Sequence, residues 1–231
     1  AAVLTAAGLD AGIAPLNFRK LFWRGLDVTI SRWGEQNGYE IWCAADDCYL
    51  LWDRLMRAGA SFGMQAAGLS AMDVLDIQAG VARPARDYLP AIDGFTVDPS
   101  VESLALESLI DEQHLGFNGR GAWLGHRGKN KTILVGLEID APTPASFAAL
   151  TRHGARVGHT LASVYSPVLR RAIALAQIEK SSATPGTAFT LAIPGSLEMP
   201  ESRIAVARVV KLPFLDAPNS ASPEVNAKPT G

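Results

Sequence analysis

Apolar and polar residues alternate along residues 25–33, "GLDVTISRW", where Leu26, Val28 and Ile30 share one side, as a half-buried strand requires. Residues 34–38 read as a turn bounded by Gly34 and Gly38, and residues 39–43 resume as strand. The period then changes. Leu51, Trp52, Leu55 and Met56 recur at helical spacing, with Asp46 as the N-cap and Gly59 as the stop. A second helix is predicted over residues 70–79, ended by Gly80. The alanine-rich start, "AAVLTAAGLD", reads as a helix whose upstream context is absent. Strand, turn, strand, helix, helix is the order of an α+β layer. The stretch "DPSVESLALESLIDEQ", residues 98–113, is helical by propensity, with Ser100 as a cap.

From Lys131 onward the texture is different. "KTILVGLEID", "ARVGHTLASVYS", "RAIALAQIE", "GTAFTLAIPG" and "RIAVARVVKLPF" are short β-rich runs separated by Gly, Pro and Thr. Five strands at this spacing predict a small antiparallel barrel. The expected organisation is therefore an α+β domain over residues 1–128 and a C-terminal β-barrel over 129–215, meeting in "GHRGKNK". Residues 216–231, rich in Pro, Ser, Ala and Asn, are expected to be a disordered tail.

Composition narrows the class rather than naming it. The 231 residues are 48% hydrophobic and 19% charged, ordinary for a soluble globular protein. Lys plus Arg (21) nearly balances Asp plus Glu (23), which gives no electrostatic footprint for nucleic acid or an anionic membrane. No apolar run reaches the length of about 20 residues needed to span a bilayer. The start has neither the basic leader of a signal peptide nor the arginines of a transit peptide. Cys43 and Cys48 read as two reduced thiols of a cytoplasmic protein, with a disulfide as the alternative. His114, His126, His153 and His159 are scattered and no CxxC is present, which argues against a metal site. "GFNGRGAWLG" reads as a loop entering a short helix rather than as a phosphate cradle.

"RWGEQNGYEIW", residues 32–42, carries the most chemistry. If Tyr39 and Ile41 face one side of a strand, Glu40 and Trp42 face the other, and the Gln36 amide lies nearby on the turn. A flat heterocycle with ring N–H and amino donors needs such a set: a carboxylate to accept paired hydrogen bonds, and an aromatic wall. The alternative is that Trp33, Tyr39 and Trp42 are core or rim aromatics and Glu40 a solvated strand residue.

"GEQNGYEIW" (34–42), followed by "LWDRLMRAGASFGMQAAGLSAMDVLDIQAG" (51–80), resembles the glycine cleavage T-protein (aminomethyltransferase) superfamily. That family shows Gly-Glu-Asp-Gly-Tyr-Glu-Ile, a helix ending in Ala-Gly, then Gly-Leu-x-Ala-Arg-Asp-x-Leu-Arg-Leu-Glu-Ala-Gly. "GARVGHTLASVYSPVLRRAIALAQI" (154–178), "TPGT" at Thr184 and "VVKLPF" (209–214) are similar to its C-terminal segments. The resemblance runs from about residue 15 to 214, with its motifs in order. It implies α+β layers closed by a C-terminal β-barrel, with a ferredoxin-like folate-binding layer and tetrahydrofolate in a central opening. It also implies a tetrahydrofolate-dependent one-carbon (methyl or aminomethyl) transferase that takes its carbon from a small-molecule donor. By resemblance, Glu40 binds the pterin edge, Tyr39 is its neighbour, and Tyr165 in "YSP" lies near the folate; Trp33 and Gln36 complete the expected binding set. The resemblance further implies strand rather than helix in "VESLALESLI".

The departures shape the expectation. Asp76 stands where the family has arginine, "RPARDY" replaces Tyr-Gly-His-Asp with only Asp87 retained, and a Trp and a Gln occupy the turn. The last two resemble the folate-dependent demethylase branch, and the expected function leans that way. The catalytic carboxylate is expected upstream of this chain, which makes a missing N-terminal half or a partner protein an expected component. A non-catalytic folate-binding regulatory or maintenance protein is the alternative. The donor pocket is expected to draw on the loop over residues 83–87.

Overall fold

The structure is a computed structural model that describes residues 1–9, 12–33, 38–84, 86–88, 100–193 and 202–215. Gln36, the rest of the turn over 34–37 and the tail over 216–231 lie outside the described residues. Two compact units are present among the described residues, one within Ala1–Gly68 and one within Leu69–Asp216.

The first unit is built on an antiparallel sheet in the order β1-β2-β3, from Phe18–Trp23, Leu26–Trp33 and Gly38–Trp42. Its inward face carries Leu21, Trp23, Leu26, Val28, Ile30, Tyr39 and Ile41, packed with Leu4 and Ala7 of α1 (Ala2–Ala7) and Leu51 of α2 (Cys48–Gly59). Trp23 pins these layers together. Its indole N–H donates to the Ala7 carbonyl at 3.1 Å, and the guanidinium carbons of Arg24 and Arg54 lie 5.5 and 5.6 Å from its ring centroid. Asp47, rather than Asp46, precedes α2, because a single 3-10 turn, Ala45–Asp47, absorbs Asp46 before the helix begins.

The second unit opens with α3 (Leu69–Gln78), continues through a connection holding α4 (Arg120–His126), and ends in a closed barrel. The strands are β4 (Thr132–Ile139), β5 (Ala149–Arg152), β6 (Ala155–Ser166), β7 (Arg171–Glu179), β8 (Ala188–Ile193) and β9 (Arg203–Val210). Their order is β4-β7-β6-β5-β8-β9, and β9 returns to pair with β4. The barrel thus has six strands where sequence spacing suggested five. Strand β5 is only four residues long, too short to show a period, and only Leu150 in it is buried. Along β7, Ala172, Ala174 and Ala176 point into the barrel while Ile173 and Leu175 join Ile77 of α3 in a second cluster outside it. Small alanines inside leave room for Leu137, Ile139, Phe189 and Leu191 from the facing strands.

Residues 100–110 are neither the helix that propensity suggests nor the strand that the family resemblance implies. They form turns and a short 3-10 segment, Glu107–Leu109. Ser100 Oγ accepts the Ser103 N–H at 3.0 Å, and Ala105 at φ 56 ends that turn in the left-handed region, while Leu104 is buried in the outer cluster. Local side-chain hydrogen bonding and one buried leucine override helix propensity.

Candidate functional site

Antiparallel register sets out the exposed face of the first sheet row by row. Phe18 lies opposite Ser31, which lies opposite Glu40; in the adjoining row Lys20 faces Thr29, which faces Trp42; Phe22 faces Asp27. Glu40 is exposed, and the large apolar members are exposed too: Phe18 at 65%, Phe22 at 72% and Trp42 at 63%. Three aromatics are left bare on one small sheet, interleaved with polar side chains, an exposure that a buried-core role does not explain. A carboxylate beside two hydroxyls and a cation sits among them. Such a face can stack a planar ring and accept hydrogen bonds from its edge.

The residues singled out from sequence divide accordingly. Glu40 and Trp42 share the exposed face, as alternation requires. Tyr39 is on the opposite face, half-buried against Ile41, Leu55 and the rest of the core cluster. Trp33 ends β2 opposite Gly38. Tyr165 belongs to the second unit, on β6 opposite Ala172, is 42% exposed and lines a cavity of about 580 Å³. Arg171 donates to Glu138 at 2.5 Å in that cavity, which Arg170 and Arg208 also line. Phe18, Lys20 and Ser31 were not singled out from the sequence. Phe18 and Lys20 alternate with Phe22 in "FRKLFW", obscured by Arg19, a charge on the side of the strand shared with Leu21 and Trp23, but only the register of β2 brings Phe18 and Ser31 to the Glu40 row.

Asp76, the departure from the family pattern, is held by ion pairs within the second unit. It pairs with Arg83, and lies 3.5 Å from Arg86, which donates to Asp73 at 2.6 Å. Arg86 also forks onto Asp87, whose fully buried carboxylate accepts the Arg83 backbone N–H at 2.8 Å. The paired carboxylates raise the Arg86 pKa above its already high ordinary value, Asp87 contributing most. Further along, His126 and His159 line a recess of about 1020 Å³ with Phe117, Trp123, Lys129 and Lys131. Burial, then the nearby Arg156, pushes the His159 pKa below its ordinary value. Among the described residues no three His, Cys, Asp or Glu side chains are grouped to hold a metal ion. Nor is any described helix long and apolar enough to cross a membrane.

A sheet-and-helix unit bearing an aromatic-and-carboxylate face, joined in one chain to a closed six-stranded antiparallel barrel, defines a two-unit α+β protein. Residues 3–98 match the model of the GCVT N-terminal domain, and residues 133–216 that of the glycine cleavage T-protein C-terminal barrel domain. The chain belongs to the glycine cleavage T-protein superfamily. It is 31% identical over 206 residues to an aminomethyltransferase of Thermotoga petrophila, covering 87% of this chain and 52% of that protein. Against an aminomethyltransferase of Bacillus subtilis it is 31% identical over 200 residues, covering 82% and 50%. A trimethylamine-oxide aldolase of Ruegeria pomeroyi is 30% identical over 167 residues, covering 71% of this chain and 20% of the aldolase. The chain thus spans about half the length of these aminomethyltransferases. The crystal structure of the glycine cleavage system aminomethyltransferase T from Bartonella henselae shares the fold, with a TM-score of 0.74 at 23% identity over 94% of this chain and 57% of that one.

Proposed function

We propose that this chain forms the folate-binding part of a tetrahydrofolate-dependent one-carbon transferase, and that its chemistry is demethylation of a small-molecule donor. The observation that carries the reading is the exposed face where Glu40 stands between Ser31 and Trp42, with Phe18 at the end of the Glu40 row. The donor set fits a pterin. Its amino and ring N–H donors need a carboxylate, and its flat ring needs an aromatic surface. Tetrahydrofolate, when bound, supplies a secondary amine that accepts the one-carbon unit. Glu40 orients the ring edge by charge-assisted hydrogen bonds, and Trp42 and Phe18 exclude water from its faces. Tyr39 supports β3 from the core side, and Trp33 ends β2 opposite Gly38. A partner protein or a further half of the polypeptide supplies the acid–base carboxylate in this reading.

The leaning to demethylation rests on Trp33, Gln36 and Asp76, and draws support from the aldolase similarity. A second reading, a non-catalytic folate-binding protein, is favoured by the ion pairs that occupy Asp76, where the family carries an arginine.

Glu40→Ala is expected to weaken tetrahydrofolate binding by about 2 kcal/mol, the worth of a charge-assisted hydrogen-bond pair. Titration calorimetry on a full-length form checks this, and unchanged affinity removes Glu40 from the site. Incubation with tetrahydrofolate and methylated amine donors separates the readings. One-carbon transfer to the folate supports the enzyme, while binding without turnover supports the second reading.

A further inference from the structure

Cys43 follows the last residue of β3 and Cys48 is the first residue of α2. Ala44 is extended, and the 3-10 turn over Ala45–Asp47, closed by the Asp47 N–H on the Ala44 carbonyl at 3.0 Å, folds the chain back. The two Sγ atoms consequently lie 3.6 Å apart, and the Cys48 thiol also reaches the Ala44 carbonyl at 3.6 Å. Both cysteines are free. Cys43 is half-buried on the core side of β3, beside Tyr39 and Ile41, whereas Cys48 is exposed.

We infer that Cys43 and Cys48 form an oxidative modification site, a dithiol that a peroxide or a small disulfide converts to a reversible intramolecular disulfide. An S–S bond needs the sulfurs to approach by a further ~1.5 Å, within reach of side-chain rotation at a junction that already holds them in contact. With hydrogen peroxide the exposed Cys48 thiolate attacks one oxygen. The O–O bond breaks, the departing hydroxide takes up the proton that the Cys48 thiol had released and leaves as water, and Cys48 becomes a sulfenic acid. The Cys43 thiolate then attacks the Cys48 sulfur; the S–S bond forms, the S–O bond breaks, and the departing hydroxide takes a proton and leaves as a second water. In sum two thiols lose two electrons and two protons, and one peroxide becomes two waters. The order follows from exposure. Partial burial, the adjoining Cys48 thiol and Asp47 push the Cys43 thiol up from its ordinary value, which suits it to resolve rather than to react first. The site does not rest on the folate reading, because Cys43 packs on the face of β3 opposite Glu40.

The test treats the 231-residue chain with hydrogen peroxide, and separately with oxidised glutathione. Thiols are then counted in denaturant, and the protein is mapped by peptide mass spectrometry without reduction. The expected result is a fall from two thiols to none in a monomeric chain, an internal 43–48 link with the loss of two hydrogens, and full recovery with dithiothreitol. Cys43→Ser is expected to stop at a Cys48 sulfenic acid that dimedone traps, and Cys48→Ser to oxidise at least tenfold more slowly. Two thiols remaining after treatment, links only between chains, or equal oxidation rates in both serine variants would each overturn the inference. A matching circular dichroism spectrum of each variant separates a lost fold from a lost reaction.

Discussion

At Thr160 one hydroxyl serves two backbone groups that have no ladder partner. Its Oγ donates to the Ala145 carbonyl at 2.6 Å and accepts the Ala148 N–H at 2.8 Å, beside a register shift in the pairing of β6 with β7. Thr160→Val keeps the shape and strands both groups, with an expected cost of about 2 kcal/mol. A urea melt reads the difference. His159, one residue earlier, gives a pH prediction. Its folded pKa lies below the ordinary 6.5, so below pH 6.5 the unfolded chain takes a proton that the folded chain resists. The contribution of the neutral imidazole is whole above that pH and is lost as the pH falls through the depressed value. The melting temperature is therefore expected to drop on acidification from pH 7 toward 5. His159→Gln should flatten that slope, and an unchanged slope would assign the acid sensitivity to other groups.

Elements were legible where pattern and burial agree. Strand β2 alternates cleanly because one side meets α1 and α2 and the other meets solvent, and α2 shows its stripe because Leu51 and Leu55 face the sheet. Strand β1 hid behind Arg19, on the side shared with Leu21 and Trp23, and β5 behind its length. The exposed face was half legible. Glu40 and Trp42 follow from period-two reasoning within one strand, but Phe18 and Ser31 join them only through register, which no single strand encodes. The segment after α3 illustrates the same limit. Asp73, Asp76, Arg83 and Arg86 look like unconnected charges until the chain turns back and Arg86 closes onto the buried Asp87. Asp87→Asn leaves Arg86 without its main counter-ion and is expected to cost about 3 kcal/mol. Denaturant melts check it, and a loss below about 1 kcal/mol, the usual worth of an exposed pair, would mean the network behaves as a solvated one.

At the scale of the molecule, the two units have separate cores, one around Ile30 and Trp23, the other within and beside the barrel. Helix α3 packs through Ile77 on β7 residues and through the Gln78 side chain, which donates to Ser166 Oγ at 2.7 Å. The stretch Leu69–Asp216 is accordingly expected to fold when expressed alone, with a cooperative thermal transition in scanning calorimetry. A non-cooperative melt would show that it needs the first unit. Family membership accounts for why sequence motifs reached this far: they mark turns and strand ends, whereas the packing between such marks is written only in three dimensions.

The return of β9 to β4 also fixes an order of events during synthesis. Residues 132–139 and 188–193 leave the ribosome as open sheet edges, and their shared partner over 203–210 is made last. Until it arrives, the barrel is an incomplete sheet whose bare strands can capture a neighbouring nascent chain. A stop codon just before residue 203 should therefore yield an aggregating product, not a slightly shorter functional one.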